Sequence, residues 1–274
     1  MGIAVFMVVA RRKIIVFAIC FVAMFTNVAS QNVSPEKSIE NTSGLWLGTY
    51  TKYKISDNWF YYGEYHYRRR NQFVKDMAQI YLRFGATYRH SDEFEITGGI
   101  VTPIYWAPNQ DAPNIDKVVM QYRFWEQFLF VQHLERSKIY HQLRFEQRWA
   151  RKYSVGSPFE LTHRFRYKFS TYIPLNNHHL TPGTYFASMY DEIFIQAGPS
   201  IKFNYFEDNR LFLGLGYVVN ENIQLQAGYM WTFRHAGSPY KYEHRHIPRI
   251  SFYHSLDLSK SIKPYRQLPE LPEF

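Results

Sequence analysis

The sequence predicts an all-β fold: a single antiparallel, up-and-down transmembrane β-barrel of ten to twelve strands. The first observation is a long alternation of polar and apolar residues between positions 44 and 258, as where Gln142, Arg144, Glu146 and Arg148 alternate with mostly apolar neighbours. Side chains of a strand point alternately to its two faces, so each stretch has one polar and one apolar face. The second observation is length. The stretches exceed the ~5–6 residues usual in a soluble β-sandwich and match the ~9–11 residues that cross a bilayer at a tilt.

The third observation is an export signal at the N-terminus. Arg11, Arg12 and Lys13 precede an apolar run from Ile14 to Phe25, and small residues follow at positions 28–30. This run is too short to cross a bilayer of ~30 Å as a helix, so residues 1–30 are predicted to be a cleaved signal peptide. Residues 31–43 are then a polar N-terminal segment, 44–258 the barrel and 259–274 a Pro-rich C-terminal tail.

Turn residues divide the barrel region into eleven candidate strands. In chain order these are Leu45–Lys54, Trp59–Arg69, Met77–Arg89, Phe94–Thr102, Gln121–Leu134, Ile139–Ala150, Phe159–Ile173, Tyr185–Ala197, Arg210–Val219, Ile223–Phe233 and Ile247–Leu258. Pro103 is expected to end the fourth strand because proline cannot donate to a ladder, and residues 104–120 are expected to form a long loop. Bacterial barrels normally have an even number of strands, so ten or twelve are expected. Short and long connections alternate, as periplasmic turns and extracellular loops do.

Cysteine and charge exclude several function classes. The only cysteine, Cys20, lies in the signal peptide behind Ile19 rather than behind the small residue that lipid attachment needs. The mature chain therefore has no disulfide, thiolate metal site or cysteine nucleophile. Removing the three basic residues of the signal leaves 29 Lys and Arg against 23 Asp and Glu, a formal charge of +6. Because the arginines alternate with apolar residues along strands, they are predicted to face a lumen rather than nucleic acid.

A ladder of charges is the strongest candidate constellation. It is predicted to line the lumen and consists of Glu64, Arg83, Arg144, Glu146, Arg148, Glu160, Arg164, Arg166 and Glu192. Lys168 continues the same pattern. Rows of arginine can select anions in a pore. Alternatively, ion pairs among these residues fill a narrow interior, which is favoured because barrels of about eight strands are filled by their own side chains.

Evidence for an enzyme or a metal site is weak. A membrane-embedded lipid hydrolase needs a Ser–His pair on the outer face, and adjacent His254 and Ser255 point to opposite faces. The histidines at 178–179 and at 244 and 246 lack carboxylates at ligand spacing. The chain is therefore predicted to be no enzyme, with no cofactor and no bound metal. Four tryptophans near strand ends, Trp46, Trp59, Trp149 and Trp231, are predicted to lie at the membrane interfaces, where amphipathic rings are favoured.

Three segments carry a family resemblance: Ser43–Arg68, Leu143–Leu175 and Asn209–Met230, the last containing the run LFLGLGY. They resemble an outer-membrane β-barrel family catalogued as domain of unknown function 2490. The resemblance implies one barrel in the outer membrane of a Gram-negative bacterium and brings no ligand or catalytic residue. The tail after Leu258 departs from the usual pattern, in which a terminal aromatic closes the last strand.

The sequence thus predicts an integral outer-membrane barrel, non-catalytic, with a charged and largely filled lumen. A narrow anion-preferring pore and an outer-membrane lipid hydrolase remain the alternatives. Expected partners are outer-membrane lipids and the barrel-assembly machinery, with no nucleic acid and an unknown ligand.

Overall fold

The computed structural model describes residues 37–202, 204–236 and 238–259. The predicted signal peptide and almost all of the predicted tail lie outside the described residues and stay predictions. The described residues form twelve strands: β1 Ser38–Lys54, β2 Trp59–Arg70, β3 Asp76–Ser91, β4 Phe94–Trp106, β5 Val118–Met120, β6 Tyr122–His133, β7 Lys138–Ala150, β8 Glu160–Pro174, β9 Tyr185–Ala197, β10 Phe206–Asn220, β11 Ile223–His235 and β12 Lys241–Asp257. None of the described residues forms a helix that could span a membrane.

The strands form one sheet that closes on itself. β5 and β6 together occupy one strand position of the wall, and we call each such position a stave. Both pair with β4 in the same register: Ile104 lies opposite Met120, and Val101 opposite Arg123. The break falls at Gln121, whose N–H donates to the carbonyl of Pro103 at 3.0 Å. Pro103 has no N–H with which to donate a second hydrogen bond to Gln121, so the ladder is interrupted there. The wall therefore contains eleven staves built from twelve strands.

The odd number of staves explains the one parallel pair. In a meander of eleven staves, the first and last run in the same direction, and β1 pairs with β12 in parallel along almost its whole length. The predicted all-β barrel of ten to twelve strands is confirmed, but the prediction of a purely antiparallel barrel was wrong at this seam. The eleven staves also agree with the eleven stretches counted in the sequence, so an even number does not hold for the wall.

Several strand predictions need correction. The fourth strand was expected to end before Pro103, but β4 continues through it to Trp106. The missing N–H costs one ladder bond and does not stop the strand. The predicted loop at 104–120 therefore includes the end of β4 and all of β5. β1 begins at Ser38, before the predicted barrel start at residue 44, and β12 begins at Lys241 rather than at Ile247.

The two ends of the barrel differ in their connections. At one end, here the turn end, connections are mostly short and span residues 55–58, 92–93, 134–137, 175–184 and 221–222. At the other, the loop end, they span residues 71–75, 107–117, 151–159, 198–205 and 236–240. Because the stave number is odd, β1 begins at the loop end and β12 finishes at the turn end.

The wall is polar inside and apolar outside. Arg83 and Glu146 are 0% and 1% exposed, whereas Leu213 and Leu215 on the outer face are 55% and 63% exposed. Aromatic pairs border this aliphatic band at both ends. At the loop end Phe124 packs against Trp149, and Tyr122 against Phe159. At the turn end the pairs are Trp59–Tyr88, Phe94–Phe130 and Tyr185–Tyr217.

Trp46 does not belong to either border. It is 6% exposed and packs inside the barrel with Tyr190, Phe212 and Met230. The prediction that it lies at a membrane interface was wrong, because even-numbered positions of β1 face inward and place Trp46 on the same side as Tyr50. Trp59, Trp149 and Trp231 are less buried, and their interface role stays a prediction.

Glycines in the LFLGLGY run make room for rings inside the barrel. A Cβ at Gly216 would lie 2.1 Å from the ring of Phe186, and one at Gly214 would lie 2.6 Å from the ring of Phe212. Both phenylalanines are fully buried. The alternation of Leu outside and Gly inside is therefore a packing requirement of this part of the wall.

Candidate functional site

A cavity of about 910 Å³ occupies the loop-end part of the barrel interior. Its lining runs from Arg70, Arg151 and Lys241 at the rim to Tyr50 and Tyr253 nearer the middle. Fifteen Arg and Lys side chains line it, against six Asp and Glu. This surplus of positive charge is confined to the interior, because the strand periodicity that exposes leucines outside turns the arginines inward.

One buried carboxylate in the middle of the interior contacts four arginines. Glu146 on β7 is fully buried; its Oε1 lies 2.7 Å from Arg83 Nη2 and 2.9 Å from Arg166 Nη1. Its Oε2 lies 3.0 Å from Arg123 Nη1 and 3.5 Å from Arg164 Nη1. We call these five residues the Glu146 cluster. The four arginines come from β3, β6 and β8, and the contact between Arg83 and Glu146 joins the non-adjacent strands β3 and β7 across the lumen.

Other carboxylates extend the Glu146 cluster. Glu64 lies 3.4 Å from Arg83 Nε and 3.0 Å from Arg144 Nη2. Glu192 accepts from Arg166 Nη2 at 2.5 Å. Glu207 accepts from Arg148 at 2.9 Å and from Arg164 Nε at 2.6 Å. Charge-assisted bonds of this kind compensate the loss of hydration of buried ions.

Eight of the nine predicted ladder residues belong to this network: Glu64, Arg83, Arg144, Glu146, Arg148, Arg164, Arg166 and Glu192. Glu160 does not, since it lies at the loop-end start of β8 and makes no ion pair among the described residues. Arg148 pairs with Glu207 rather than with a predicted ladder carboxylate.

Sequence reasoning missed several interior charges. Arg123 shares the inner face of β6 with Trp125 and Gln127, and this period of two could have revealed it. Glu207 and Asp208 were assigned to a loop, because β10 was predicted to start at Arg210 rather than at Phe206. Arg68 and Arg249 also lie on predicted strands. Arg68 shares its face of β2 with Glu64 and His66, so alternation could have revealed it, whereas Ile247 and Ser251, the neighbours of Arg249 on its face, carry no charge.

Five lining cations have no carboxylate within ion-pair distance among the described residues. Arg69 and Arg70 donate instead to backbone carbonyls at the loop-end rim. The other three are Arg68, Lys168 and Arg249. We call them the caged cations, because aromatic groups surround them. The guanidinium carbon of Arg68 lies 3.7 Å from the centroid of the Trp46 ring, and Lys168 Nζ lies 4.4 Å from that of Tyr190. A contact between a cation and an aromatic ring contributes about 0.5–2 kcal/mol. This is less than the roughly several kcal/mol of hydration free energy that an ion loses on burial.

Arg249 is the most enclosed of the three, at 7% exposed. It donates one hydrogen bond to the hydroxyl of Tyr190 and one to that of Tyr50. Its guanidinium carbon also lies 5.4 Å from the ring centroid of Phe212. Neutral hydroxyls and rings therefore hold a full positive charge inside the barrel.

Buried charged and apolar side chains also meet at the turn end of the interior. Lys52 Nζ lies 2.8 Å from Glu95, whose Oε1 also accepts from Arg89 Nε at 2.8 Å. Beside them lies a cluster of Leu129, Val131 and Tyr140. None of these residues lines the cavity.

The arrangement of the His, Ser and acidic side chains bears on metal binding and on hydrolysis. Among the described residues, no group of three or more His, Cys, Asp and Glu side chains is placed to hold a metal ion. Ser43 and His246 are register partners across the parallel β1–β12 pair. However, Ser43 Oγ accepts from the N–H of Phe73 at 3.1 Å, and His246 Nδ1 is hydrogen bonded to the hydroxyl of Tyr229. The described residues contain no Ser–His hydrogen bond, and the absence of catalysis stays a prediction.

One polar group at the rim lies outside the strands. Tyr153, in the β7–β8 connection, lines the cavity and donates to the carbonyl of Trp106 at 3.2 Å. Burial raises the pKa of Tyr153 to about 12. It is therefore a neutral hydrogen-bond donor and acceptor at physiological pH.

Comparison with known families identifies the chain by family only. Residues 43–243 match the family described as "Protein of unknown function (DUF2490)", and the chain belongs to it. No curated protein matches the chain.

Proposed function

We propose that this protein is an integral outer-membrane barrel of a Gram-negative bacterium that neither conducts ions nor catalyses a reaction. The observation that carries the proposal is the inverted polarity of the wall. Large apolar side chains such as Phe124, Leu215 and Ile250 are 57%, 63% and 52% exposed, while charged side chains are buried. A soluble protein would leave this apolar band in water, whereas lipid tails would cover it.

The borders of the band support the same proposal. Aromatic pairs lie on the outer face at both ends of the staves, and such girdles are typical of barrels at the two membrane interfaces. The short connections of the turn end correspond to periplasmic turns, and the connections of the loop end to extracellular loops. The cavity would then face the exterior.

The side chains that meet at the turn end favour a closed barrel over the alternative of an anion-preferring pore. Lys52 and Glu95 neutralise each other below the cavity, and Leu129, which lies opposite Glu95, packs with Val131 and Tyr140. Ions would have to displace these side chains to pass. The lipid-hydrolase alternative has less support, because Ser43 and His246 are each hydrogen bonded to other groups.

Two measurements test location and closure together. The protein is expected in the outer-membrane fraction, with migration on a gel that changes on heating, as folded barrels show. A soluble periplasmic protein would end the membrane proposal. For closure, single cysteines can replace Gln142, which lines the cavity, and Gln224, which is buried toward the turn end.

A charged, water-soluble thiol reagent added to whole cells should label the cysteine of Gln142→Cys and leave that of Gln224→Cys unlabelled. The mature chain contains no other cysteine if the signal peptide is cleaved as predicted. Equal labelling at both positions would contradict a barrel closed at the turn end.

A further inference from the structure

We propose that the cavity binds a soluble multivalent oxyanion, carrying phosphate or carboxylate groups, through the caged cations Arg68, Lys168 and Arg249. The proposal goes beyond the closed barrel and rests on it only for the side of entry, the loop end. Its starting point is a contrast within one cavity lining: Arg164 and Arg166 are paired with carboxylates, whereas the caged cations are not.

The three cations are close to one another through shared neighbours. Tyr190 contacts both Lys168, whose Nζ is 4.4 Å from its ring centroid, and Arg249, which donates to its hydroxyl. Tyr50 accepts from Arg249 and packs edge-on against His66, with 5.1 Å between ring centroids.

Arg68 completes the group. It donates to His66 Nδ1 at 3.1 Å and to Gln79 at 2.9 Å. Because an arginine is always a donor, His66 accepts through a neutral ring and supplies no negative charge. Neutral groups therefore make the direct contacts of all three cations, and the carboxylate opposite Lys168, Glu192, pairs with Arg166.

A buried cation without a counter-ion is costly and marks a functional site by default when it lies inside a membrane protein. Donor atoms are available for a ligand. Arg68 Nε and Arg148 Nε are buried and have no hydrogen-bond partner among the described residues. Guanidinium groups with free donors suit planar or tetrahedral oxyanions, which accept two hydrogen bonds from one fork.

Size and access limit the ligand class. A volume of about 910 Å³ lies within the range of small-molecule sites, which is about 300–1,000 Å³. The cavity is enclosed by the barrel wall, so a lipid headgroup in the surrounding bilayer has no direct path to it. A solute entering between the loops fits this geometry, and three cations favour an anion of two or more charges over chloride.

Titration calorimetry of the full mature chain in detergent tests the proposal, with inorganic pyrophosphate and citrate as probes and chloride as the monovalent reference. One-to-one binding is expected for at least one probe, and raising the salt concentration should weaken it because screening reduces charge attraction. Comparing the probes distinguishes phosphate from carboxylate chemistry. If neither probe binds more tightly than chloride, the proposal is overturned.

Three variants assign the site. Arg249→Gln and Arg68→Gln should each weaken binding at least tenfold, and Arg249→Lys should restore part of it by keeping the charge. Arg136→Gln is the matched control, because Arg136 lies in an exposed turn-end connection away from the cavity. Undiminished binding by both glutamine variants would overturn the assignment. Lys168→Gln provides the same test if Arg249→Gln does not fold.

The outcome is separable from the closed-barrel proposal. Pyrophosphate or citrate binding by a protein that also conducts ions would retain the site and refute closure. A barrel that does not conduct ions and binds neither probe would support the closed-barrel proposal and refute the oxyanion-binding site.

Discussion

Two regions of the barrel interior surround their buried cations with different kinds of group. In the Glu146 cluster, four arginines converge on one buried carboxylate at 2.7–3.5 Å. Around the caged cations no carboxylate comes within ion-pair distance among the described residues, and Trp46, Tyr50 and Tyr190 take its place. The first arrangement balances charge within the protein, whereas the second leaves positive charge that an outside anion can balance.

An arginine's partners, more than its burial, therefore indicate its role. Arg83 and Arg249 are both buried, at 0% and 7% exposed. Removing one partner of a buried ion pair leaves a charge without compensation, which costs about 3–5 kcal/mol. Removing a cation that has no ionic partner leaves only neutral groups behind. Substitutions in the two regions should therefore have different effects on stability.

The largest effect is expected in the Glu146 cluster. Glu146→Gln removes the shared carboxylate from four arginines and should lower the free energy of unfolding by about 3–5 kcal/mol. Urea unfolding of the barrel in lipid vesicles, followed by gel migration without heating, measures it. Glu160→Gln is the control and should change little, because Glu160 makes no ion pair among the described residues. Similar losses in both variants would mean that the cluster has no special role.

A second substitution tests whether both regions face a lumen at all. Leu143→Arg places a charge on the outer face and should cost ~2–4 kcal/mol if the position is at mid-bilayer. Its neighbour Gln142 lines the cavity, so Gln142→Arg should be tolerated. The same unfolding assay applies. Equal tolerance at both positions would show that the outer face is not in lipid.

Among the caged cations the expected effect on stability is smaller. Arg249→Gln removes two hydrogen bonds and several ring contacts but leaves no carboxylate unpaired, so the change should stay within about 1–2 kcal/mol. Arg166→Gln, which leaves Glu146 and Glu192 each short of a partner, provides the matched comparison. If Arg249→Gln destabilised the barrel as much as Arg166→Gln, the distinction between the two regions would not hold.

The smallest effect is expected outside the lumen. Glu126 is an exposed carboxylate in the middle of β6, opposite Gly98 and Phe145, and makes no ion pair among the described residues. In lipid, Glu126→Leu should stabilise the barrel by roughly 1–2 kcal/mol or less, because acidic residues on a lipid face cost less than Arg or Lys. Destabilisation in vesicles would indicate that Glu126 contacts water or a partner.

The sequence was informative wherever alternation alone sets the structure. On β7 and β8, Arg144, Glu146, Arg164 and Arg166 alternate with apolar residues, so their shared face could be predicted. On β1 the alternation is weak, because Trp46 and Tyr50 on one face are no more polar than Leu45 and Leu47 on the other. The side of Trp46 therefore depends on closure of the barrel, which a single strand does not encode.

Contacts across the lumen were also beyond the sequence. Arg83 and Glu146 are 63 positions apart, and their contact requires that β3 and β7 face each other inside the closed wall. The family resemblance suggested a barrel but gave no register. The parallel seam follows from the stave count alone, which shows that counting stretches in the sequence was more reliable here than the rule of even numbers.

Single-channel recording in a planar bilayer shows whether the interior is open at the loop end and closed at the turn end. The reconstituted protein is expected to show no steady openings, and Arg148→Glu should leave this unchanged. A variant that removes both partners of the turn-end pair, Lys52→Ser with Glu95→Ser, should conduct more often than the native protein. Steady, anion-selective openings of the native protein that change with Arg148→Glu would contradict the account.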